Sequence, residues 1–263
     1  MNNDEAKKRV QHTFGKYADS YVTSHTHSKG EDLPLILRWT TPQPTWKALD
    51  IATGGGHVAK TIAPHVQQVY VTDLTKEMLE HSARHLSGIN NLEYVIADAE
   101  QLPFLDNCFD MITCRIAPHH FPNPAQFIKE AARVLKYNGV FVMIDNIAPE
   151  EKQLNYYYNT FESMRDASHV RALPVSEWQS YLKDHGLQMI KDSIRKKEMD
   201  FQSWVRRTLD DKEQQNNVHH YMMSAESFIK DYFSIREVNH QIQSFTIDEW
   251  MVLCTKGSIT DEC

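Results

Sequence analysis

Leu49-Asp50-Ile51-Ala52-Thr53-Gly54-Gly55-Gly56-His57-Val58-Ala59 decides how this chain is read. A short apolar strand ends in an acid, and three consecutive glycines turn the chain into a helical pattern. Glycine carries an entropic penalty inside a helix or a strand. Three in a row instead suit a sharp turn where backbone comes close to a ligand, at a helix N-terminus whose first N–H groups lack partners within the helix. Apolar runs flank the glycines too closely for a plain flexible loop. The stretch reads as a cofactor cradle.

Working outward, a regular beat starts at Trp46. Val69 to Asp73 forms a second strand ending in an acid, and Leu92 to Asp98 a third. Asp73 lies 23 residues after Asp50, and Asp98 a further 25, the length of a strand plus a crossover helix. Val58 to His65 and Thr75 to Leu86 have helical composition. Phe109 to Arg115 is a fourth strand, Pro124 to Lys136 a helix, and Gly139 to Asp145 a fifth strand. This alternation predicts an α/β fold: a Rossmann-like, doubly wound seven-strand sheet, mostly parallel, with helical cap insertions. The rhythm changes after strand five. Residues 151 to 185 and 201 to 229 are mostly helical, Leu187 to Met199 is a strand, and Tyr232 to Val238 pairs with Gln241 to Thr255 as an antiparallel hairpin turning at Asn239-His240. Before the beat, residues 4 to 22 place Val10, Phe14, Tyr17 and Tyr21 on one face of a helix. That stripe is read by default as packing surface. A second short helix runs through Leu33, Leu37 and Trp39.

With 263 residues, 41% hydrophobic and 24% charged, the chain can bury a substantial core and has ordinary globular composition. A net charge of −7 disfavours general binding to nucleic-acid phosphates. Cys108, Cys114, Cys254 and Cys263 lack metal-like spacing. No stretch approaches the roughly 18 apolar residues of a membrane span, and the N-terminus lacks a signal-peptide pattern, so a cytoplasmic location is expected. Three units are expected: residues 1–45 as an N-terminal helical lid, 46–148 as the cofactor-binding core, and 149–263 as cap insertions with the remaining strands.

In an open α/β sheet, ligands sit outside the carboxyl ends of the strands. Asp50, Asp73 and Asp98 all lie there. Asp73, 19 residues after Gly54, is placed to accept ribose hydroxyls; the simpler alternative is a helix cap before Thr75. The run Gly54 to Ala59 also matches the dinucleotide fingerprint, which keeps an NAD(P)- or flavin-dependent oxidoreductase open. An anionic pyrophosphate gains nothing from Asp50 beside the glycines, whereas a zwitterionic sulfonium ligand does. Asp98-Ala99-Glu100 adds a third acid able to read an adenine edge.

These residues resemble the class I S-adenosylmethionine-dependent methyltransferases, and more narrowly the branch of ubiquinone/menaquinone-biosynthesis C-methyltransferases and uncharacterised bacillus-type small-molecule methyltransferases. Asp50 to Gly56 corresponds to the family's D-x-G-x-G-x-G. Ala97-Asp98-Ala99-Glu100-Gln101-Leu102-Pro103-Phe104, Arg115-Ile116-Ala117-Pro118-His119-His120-Phe121 and Glu130 to Gly139 extend the match over roughly residues 46 to 148. Ala52 departs from it, standing where the family has its first glycine. The resemblance implies S-adenosyl-L-methionine as cofactor. It sets Asp50, Ala52, Gly54 and Gly56 around the methionine portion, Asp73 and Leu74 at the ribose, Asp98 and Ala99 at the adenine, and the Arg115 backbone near the methyl end. Tyr21 is a candidate to close over the cofactor.

Methyl transfer from a sulfonium is an in-line displacement with a neutral leaving group, so alignment and water exclusion carry most of it. A base matters only where the acceptor loses a proton. His119 and His120, after strand four, are the candidate bases; a structural histidine anchoring the loop is the alternative. Asp145-Asn146 is similar to the acid–amide pair of Mg²⁺-dependent catechol methyltransferases, but strand four ends without a further acid, so no metal is expected. Arg165, His169 and Arg171 face either a polar acceptor or an internal salt-bridge cluster with Asp166. The acceptor is expected to be a small molecule, with no nucleic acid and no membrane span, and the protein a monomer or homodimer. A non-catalytic, cofactor-binding family member is the third reading, favoured by Ala52.

Overall fold

The computed structural model describes residues 2–23, 30 and 32–257, apart from the side chains of residues 17–23. Tyr17, Tyr21 and the His25–His27 segment fall outside the described side chains. Two helices, α1 (Asn3–Thr23) and α2 (Asp32–Thr40), precede the alternating part. That part comprises β1 (Lys47–Ile51), α3 (His57–Ile62), β2 (Gln68–Asp73), α4 (Lys76–His85), β3 (Leu92–Ile96), β4 (Phe109–Arg115), α5 (Pro124–Val134) and β5 (Leu135–Ile147). Then come α6 (Lys152–Arg165), α7 (Val175–Asp184), β6 (Leu187–Asp200), α8 (Phe201–Val205), α9 (Lys212–Met223), α10 (Ser227–Tyr232), β7 (Arg236–Val238) and β8 (Gln241–Lys256).

The sheet runs β3-β2-β1-β4-β5-β8-β6. β1 to β5 pair in parallel, and β8 is antiparallel to both β5 and β6. Seven strands on one path match the sequence expectation. The hairpin partner is shorter than read: only Arg236–Val238 pairs, because Tyr232 still belongs to α10. Asn239 and His240 both have positive φ (50° and 60°), the geometry that joins two twisted strands most tightly.

Side-chain alternation explains why both faces are covered. Leu49, Ile51, Ile112, Cys114, Phe141 and Met143 point into one core with Phe127 of α5 and Trp178 of α7. The intervening Ala48, Met111, Val142 and Ile144 point into the other, with Ile36 of α2, Val58 and Ile62 of α3 and Leu79 of α4. Strands buried on both sides read as continuous apolar runs for this reason. α5 starts where Asn123 accepts from the Gln126 N–H (3.1 Å) with Pro124 in its first turn, an arrangement that satisfies one of the free N–H groups of a helix start.

β6 and β8 overrun the sheet. β5 leaves β8 at Asp248, while β6 follows β8 out to Ser244. On this extension sits a third core, in which Phe161, Trp204, Phe233 and Phe245 pack edge-on at ring distances of 4.9 to 5.7 Å. It holds the helices inserted after β5 over the carboxyl ends of the strands. No helix among the described residues is long and apolar enough to cross a membrane.

Candidate functional site

Strand order reverses between β1 and β4, and a cleft opens there. At its floor the β1–β4 register sets Asp50 opposite Thr113. Thr113 donates its hydroxyl to Asp50 Oδ1 (2.7 Å) and Thr53 donates to Oδ2 (2.6 Å). Burial pushes the Asp50 carboxyl up to about 6, more than those hydrogen bonds lower it. With the Ala59 N–H and the more distant Arg115 charge, these donors compensate the buried carboxylate only in part.

The turn above it follows the family pattern with a variation. Gly54 has φ +54° and lines the cleft. Gly56, at φ +78°, begins α3, and a Cβ there would lie 2.6 Å from both Leu86 Cδ1 and Ser82 Oγ. Gly56 therefore serves the packing of α3 on α4, and the cleft lining does not include it. Ala52 also adopts the left-handed region, φ +52°, where a Cβ costs roughly 1–2 kcal/mol. The turn keeps the geometry a glycine would give and carries that strain.

At the end of β2, Asp73 Oδ2 accepts the Gly54 N–H (3.1 Å) and Oδ1 the Thr75 N–H (2.9 Å). Asp73 thus lines the cleft and braces Thr75, the residue before α4, without capping the helix itself. Burial raises Asp73 to about 6 as well. Leu74 lines the cleft, and its carbonyl accepts from Gln11 of α1. At the end of β3, Asp98 and Ala99 line the cleft, and Asp98 accepts the Glu100 N–H (2.9 Å).

Lys7, which the sequence reading missed, reaches from α1 to Asp98 (2.7 Å) and Glu100 (2.6 Å). Lys7, Val10 and Phe14 recur at helical spacing and all line the cleft. The stripe assigned by default to packing thus includes cleft wall. The missed signal was a cation one turn before an aromatic stripe that has three acids to face.

At the end of β4 the Arg115 guanidinium turns away and holds Asp32 of α2, donating from both Nε and Nη2. Both partners are nearly inaccessible, at 6% and 2% exposure. Arg195 and Lys197 of β6 extend the network through Glu249. Ile116 follows with φ +52°. For a β-branched residue this is a genuine outlier, held by its N–H donating to the Ile144 carbonyl (2.7 Å). It too lines the cleft.

The turn Pro118–His120 brings both candidate histidines to the cleft wall. Asp145, fully buried at the end of β5, accepts from the His119 backbone N–H (2.9 Å) and pairs with His119 Nδ1 (2.6 Å). Burial pulls His119 down, but the charge and hydrogen bond of Asp145 outweigh it and the group ends above its ordinary value. Both oxygens of the acid in the Asp145-Asn146 pair are thus engaged by His119, and among the described residues no group of His, Cys, Asp and Glu is arranged to hold a metal ion. His120 Nδ1 bonds the Ser168 carbonyl (2.9 Å), and its ring meets Phe14 edge-on at 4.9 Å. Burial, and then the neighbouring His119, hold His120 far below the usual range.

The loop after α6 divides the predicted acceptor-side residues. Arg165 lines the cleft and pairs with Glu162 (2.8 Å) and Asp166 (3.6 Å), the internal cluster the sequence kept open. Arg171 instead bonds Glu177 at the surface, and His169 Nε2 bonds Asn159; the cleft lining includes neither. The His119 carbonyl accepts from the N–H groups of Val170 and Arg171 (both 3.0 Å), which ties this loop to the site. Asn146 Oδ1, buried in the same wall, has no hydrogen-bond partner among the described residues.

Residues 49–143 match the methyltransferase domain family. The uncharacterized methyltransferase YcgJ of Bacillus subtilis is 37% identical over 228 residues, 84% of this chain and 88% of that protein; its crystal structure superposes with a TM-score of 0.83 over 89% of this chain and all of that one. A protein of Bacillus halodurans C-125, 35% identical, gives a TM-score of 0.85 over 87% of this chain and 100% of its own. The ubiquinone/menaquinone biosynthesis C-methyltransferase UbiE of Brucella suis is 29% identical over 221 residues, 78% of this chain and 79% of that enzyme. With relatives matched along nearly their whole length and strand-end acids gathered around one glycine turn, the chain belongs to the class I S-adenosylmethionine-dependent methyltransferases.

Proposed function

We propose that this protein transfers the methyl group of S-adenosyl-L-methionine to a small-molecule acceptor in a cleft closed by α1 and by the loop after α6. One observation carries the reading: Asp50, Asp73 and Asp98 converge on the cleft that the Gly54 turn lines. The residues fit the cofactor. Asp50 and Asp73 are buried acids raised to about 6, and a cationic, hydroxyl-rich ligand supplies the compensation they lack. Asn146 Oδ1 is a buried acceptor awaiting a donor. A pyrophosphate at the same turn would bring anionic charge against two carboxylates, which disfavours the oxidoreductase alternative.

In this proposal Asp50, Ala52 and Gly54 hold the methionine portion, with Gly56 shaping the turn from behind. Asp73 and Leu74 take the ribose, Asp98 and Ala99 the adenine, and Arg115 contributes backbone near the methyl end. Bound there, the cofactor supplies an electrophilic methyl carbon; the chain aligns the acceptor and excludes water. Residues 1–45 act as the lid, 46–148 as the cofactor core and 149–263 as the cap. The likeness to the uncharacterized methyltransferase YcgJ and to the ubiquinone/menaquinone biosynthesis C-methyltransferase UbiE supports a small-molecule acceptor. Calorimetry with S-adenosylmethionine, S-adenosylhomocysteine and NADH tests the proposal. Binding of the first two in the micromolar range is expected; binding of NADH and of neither sulfur nucleoside would reject it.

A further inference from the structure

From the pairing of His119 with Asp145 in the cleft wall we infer that the acceptor is a phenol or an enol whose O–H proton is taken by His119 as it is methylated. This rests on the methyl-transfer reading of the same cleft.

Asp145 is fully buried, and its two oxygens bind two atoms of one residue, the backbone N–H and Nδ1 of His119. A carboxylate only accepts hydrogen bonds, so Nδ1 keeps its proton, and once the ring gives up its second proton as pH rises the lone pair sits on Nε2. His119 lines the cleft, and a base oriented in this way is what an acceptor with a proton to lose requires. A thioether or an aromatic nitrogen has its lone pair ready and needs no base. The cleft that His119 lines also has the apolar Ile116, Ala117, Phe121 and Phe14 in its wall, surface on which a flat conjugated ring can lie.

The other histidines do not compete. His120 and His169 are both held well below the usual range, by burial and then by the charge of His119, so neither holds a second proton near neutrality and both are weak bases. The charged and titratable groups around His119 are Asp145 on β5, Glu162 and Arg165 on α6, Asp166 and His169 on the following loop, and His120 on its own turn. Among these Asp145, Glu162 and Asp166 all favour the protonated ring.

In the step, the acceptor oxygen forms its bond to the methyl carbon as the sulfur–methyl bond breaks, and that electron pair returns to sulfur. The acceptor proton passes to His119 Nε2. The resulting imidazolium faces the Asp145 carboxylate and releases the proton to solvent after product leaves. Asp145 is a positioning residue.

The test compares wild type, His119→Gln and Asp145→Asn. Calorimetry with S-adenosylhomocysteine should give dissociation constants within about twofold of one another. Methyl transfer from S-adenosylmethionine is then followed by mass spectrometry with 4-nitrophenol, 2-naphthol and catechol, and with quinoline and thioanisole as acceptors without a proton to lose. At least one phenol should be methylated, and neither quinoline nor thioanisole. His119→Gln should lower kcat/KM about 100-fold or more and abolish its rise with pH. NMR titration of the His119 ring should give a midpoint above the ordinary histidine value in wild type and a lower one in Asp145→Asn, with the rising limb of kcat/KM moving with it. The inference is overturned if His119→Gln retains the rate within threefold, if quinoline or thioanisole is methylated and the phenols are not, or if a protein that binds S-adenosylhomocysteine methylates no phenol. Failure of wild type to bind S-adenosylhomocysteine would instead overturn the underlying cofactor reading.

Discussion

Replacing Asp50 by Asn should stabilise the ligand-free protein at alkaline pH while weakening its hold on the cofactor. Asp50 is 1% exposed; hydroxyls of Thr53 and Thr113, the Ala59 backbone N–H and the Arg115 charge favour its ionised form but do not offset its burial. Burial raises its carboxyl from 3.8 to about 6. At about 1.4 kcal/mol per pKa unit, the ionised form costs the native state about 3 kcal/mol. The sign follows from proton binding. Native Asp50 keeps its proton to higher pH than the unfolded chain does, so the penalty is absent below about pH 4. It grows as pH rises and is complete above about pH 6. Asn removes it but turns one carboxylate oxygen into an amide N–H₂, against which a threonine hydroxyl must reverse, a loss of about 1 kcal/mol. The net gain at pH 8 is about 2 kcal/mol, or a Tm increase of roughly 4–8 °C for a chain of this size. At pH 4.5 the gain should vanish or change sign. Differential scanning calorimetry without ligand at the two pH values reads this directly. A variant destabilised equally at both would refute the claim that Asp50 carries a poorly compensated charge.

Binding of S-adenosylmethionine should weaken below about pH 6, since Asp50 and Asp73, both raised to about 6, must ionise to receive it. Calorimetry at pH 6 in two buffers of different ionisation enthalpy should show net proton release on binding, and its absence would contradict the assignment. Lys7→Met should lower stability by about 1 kcal/mol or less, because the ion pairs with Asp98 and Glu100 are partly exposed; the loss should shrink in 1 M salt. Arg115→Gln leaves the buried Asp32 carboxylate with Arg195 at 3.4 Å as its remaining cation among the described residues and should cost about 3 kcal/mol by urea denaturation. Adding Asp32→Asn should recover part of it, and a double variant worse than the single would refute the pairing. Gly56→Ala brings a Cβ within 2.6 Å of Leu86 and Ser82 at φ +78° and should cost at least about 2 kcal/mol.

The sheet was legible because its central strands β1, β2, β4 and β5 are largely buried and because an acid stands at or just past the ends of β1, β2 and β3. Asp50, Asp73 and Asp98 marked the strand ends, the ends marked the cleft, and all three line it. Gly54 and Gly56 looked equivalent in sequence. Only packing separates them, because Ser82 and Leu86, the residues that exclude a side chain at Gly56, lie 26 and 30 positions away. Lys7 was hidden for a similar reason: an exposed-looking lysine on a polar helix reveals its partners only once α1 is laid across the strand ends. The pairing of Asp145 with His119 was out of reach too, although each residue had been singled out. It depends on β5 lying beside β4, so that the acid ending one strand meets the turn leaving the other.

Several unfavourable features meet at the cleft. Ala52 and Ile116 sit in the left-handed region, Asp50 and Asp73 bear poorly compensated charge, and Asn146 Oδ1 is buried without a partner among the described residues. All five line the cleft. Strain of this kind persists only where surrounding structure over-determines it, and here the flanking strands do so through register and backbone hydrogen bonds. Ala52 has a particular bearing on the third reading, that of a binder without catalysis. A chain released from holding the cofactor had two relaxations open at this position, a shift to negative φ or a looser turn. The turn has instead kept φ +52° with a methyl group in it, and Thr53 still donates from its backbone to Thr72 at 2.8 Å and from its hydroxyl to Asp50. The geometry of a working cradle is retained at an energetic cost, so the substitution argues for continued use of the site. The same reasoning extends to the acids: neutral residues would make a more stable apo fold, and the gain that offsets their cost comes only when the cleft is filled.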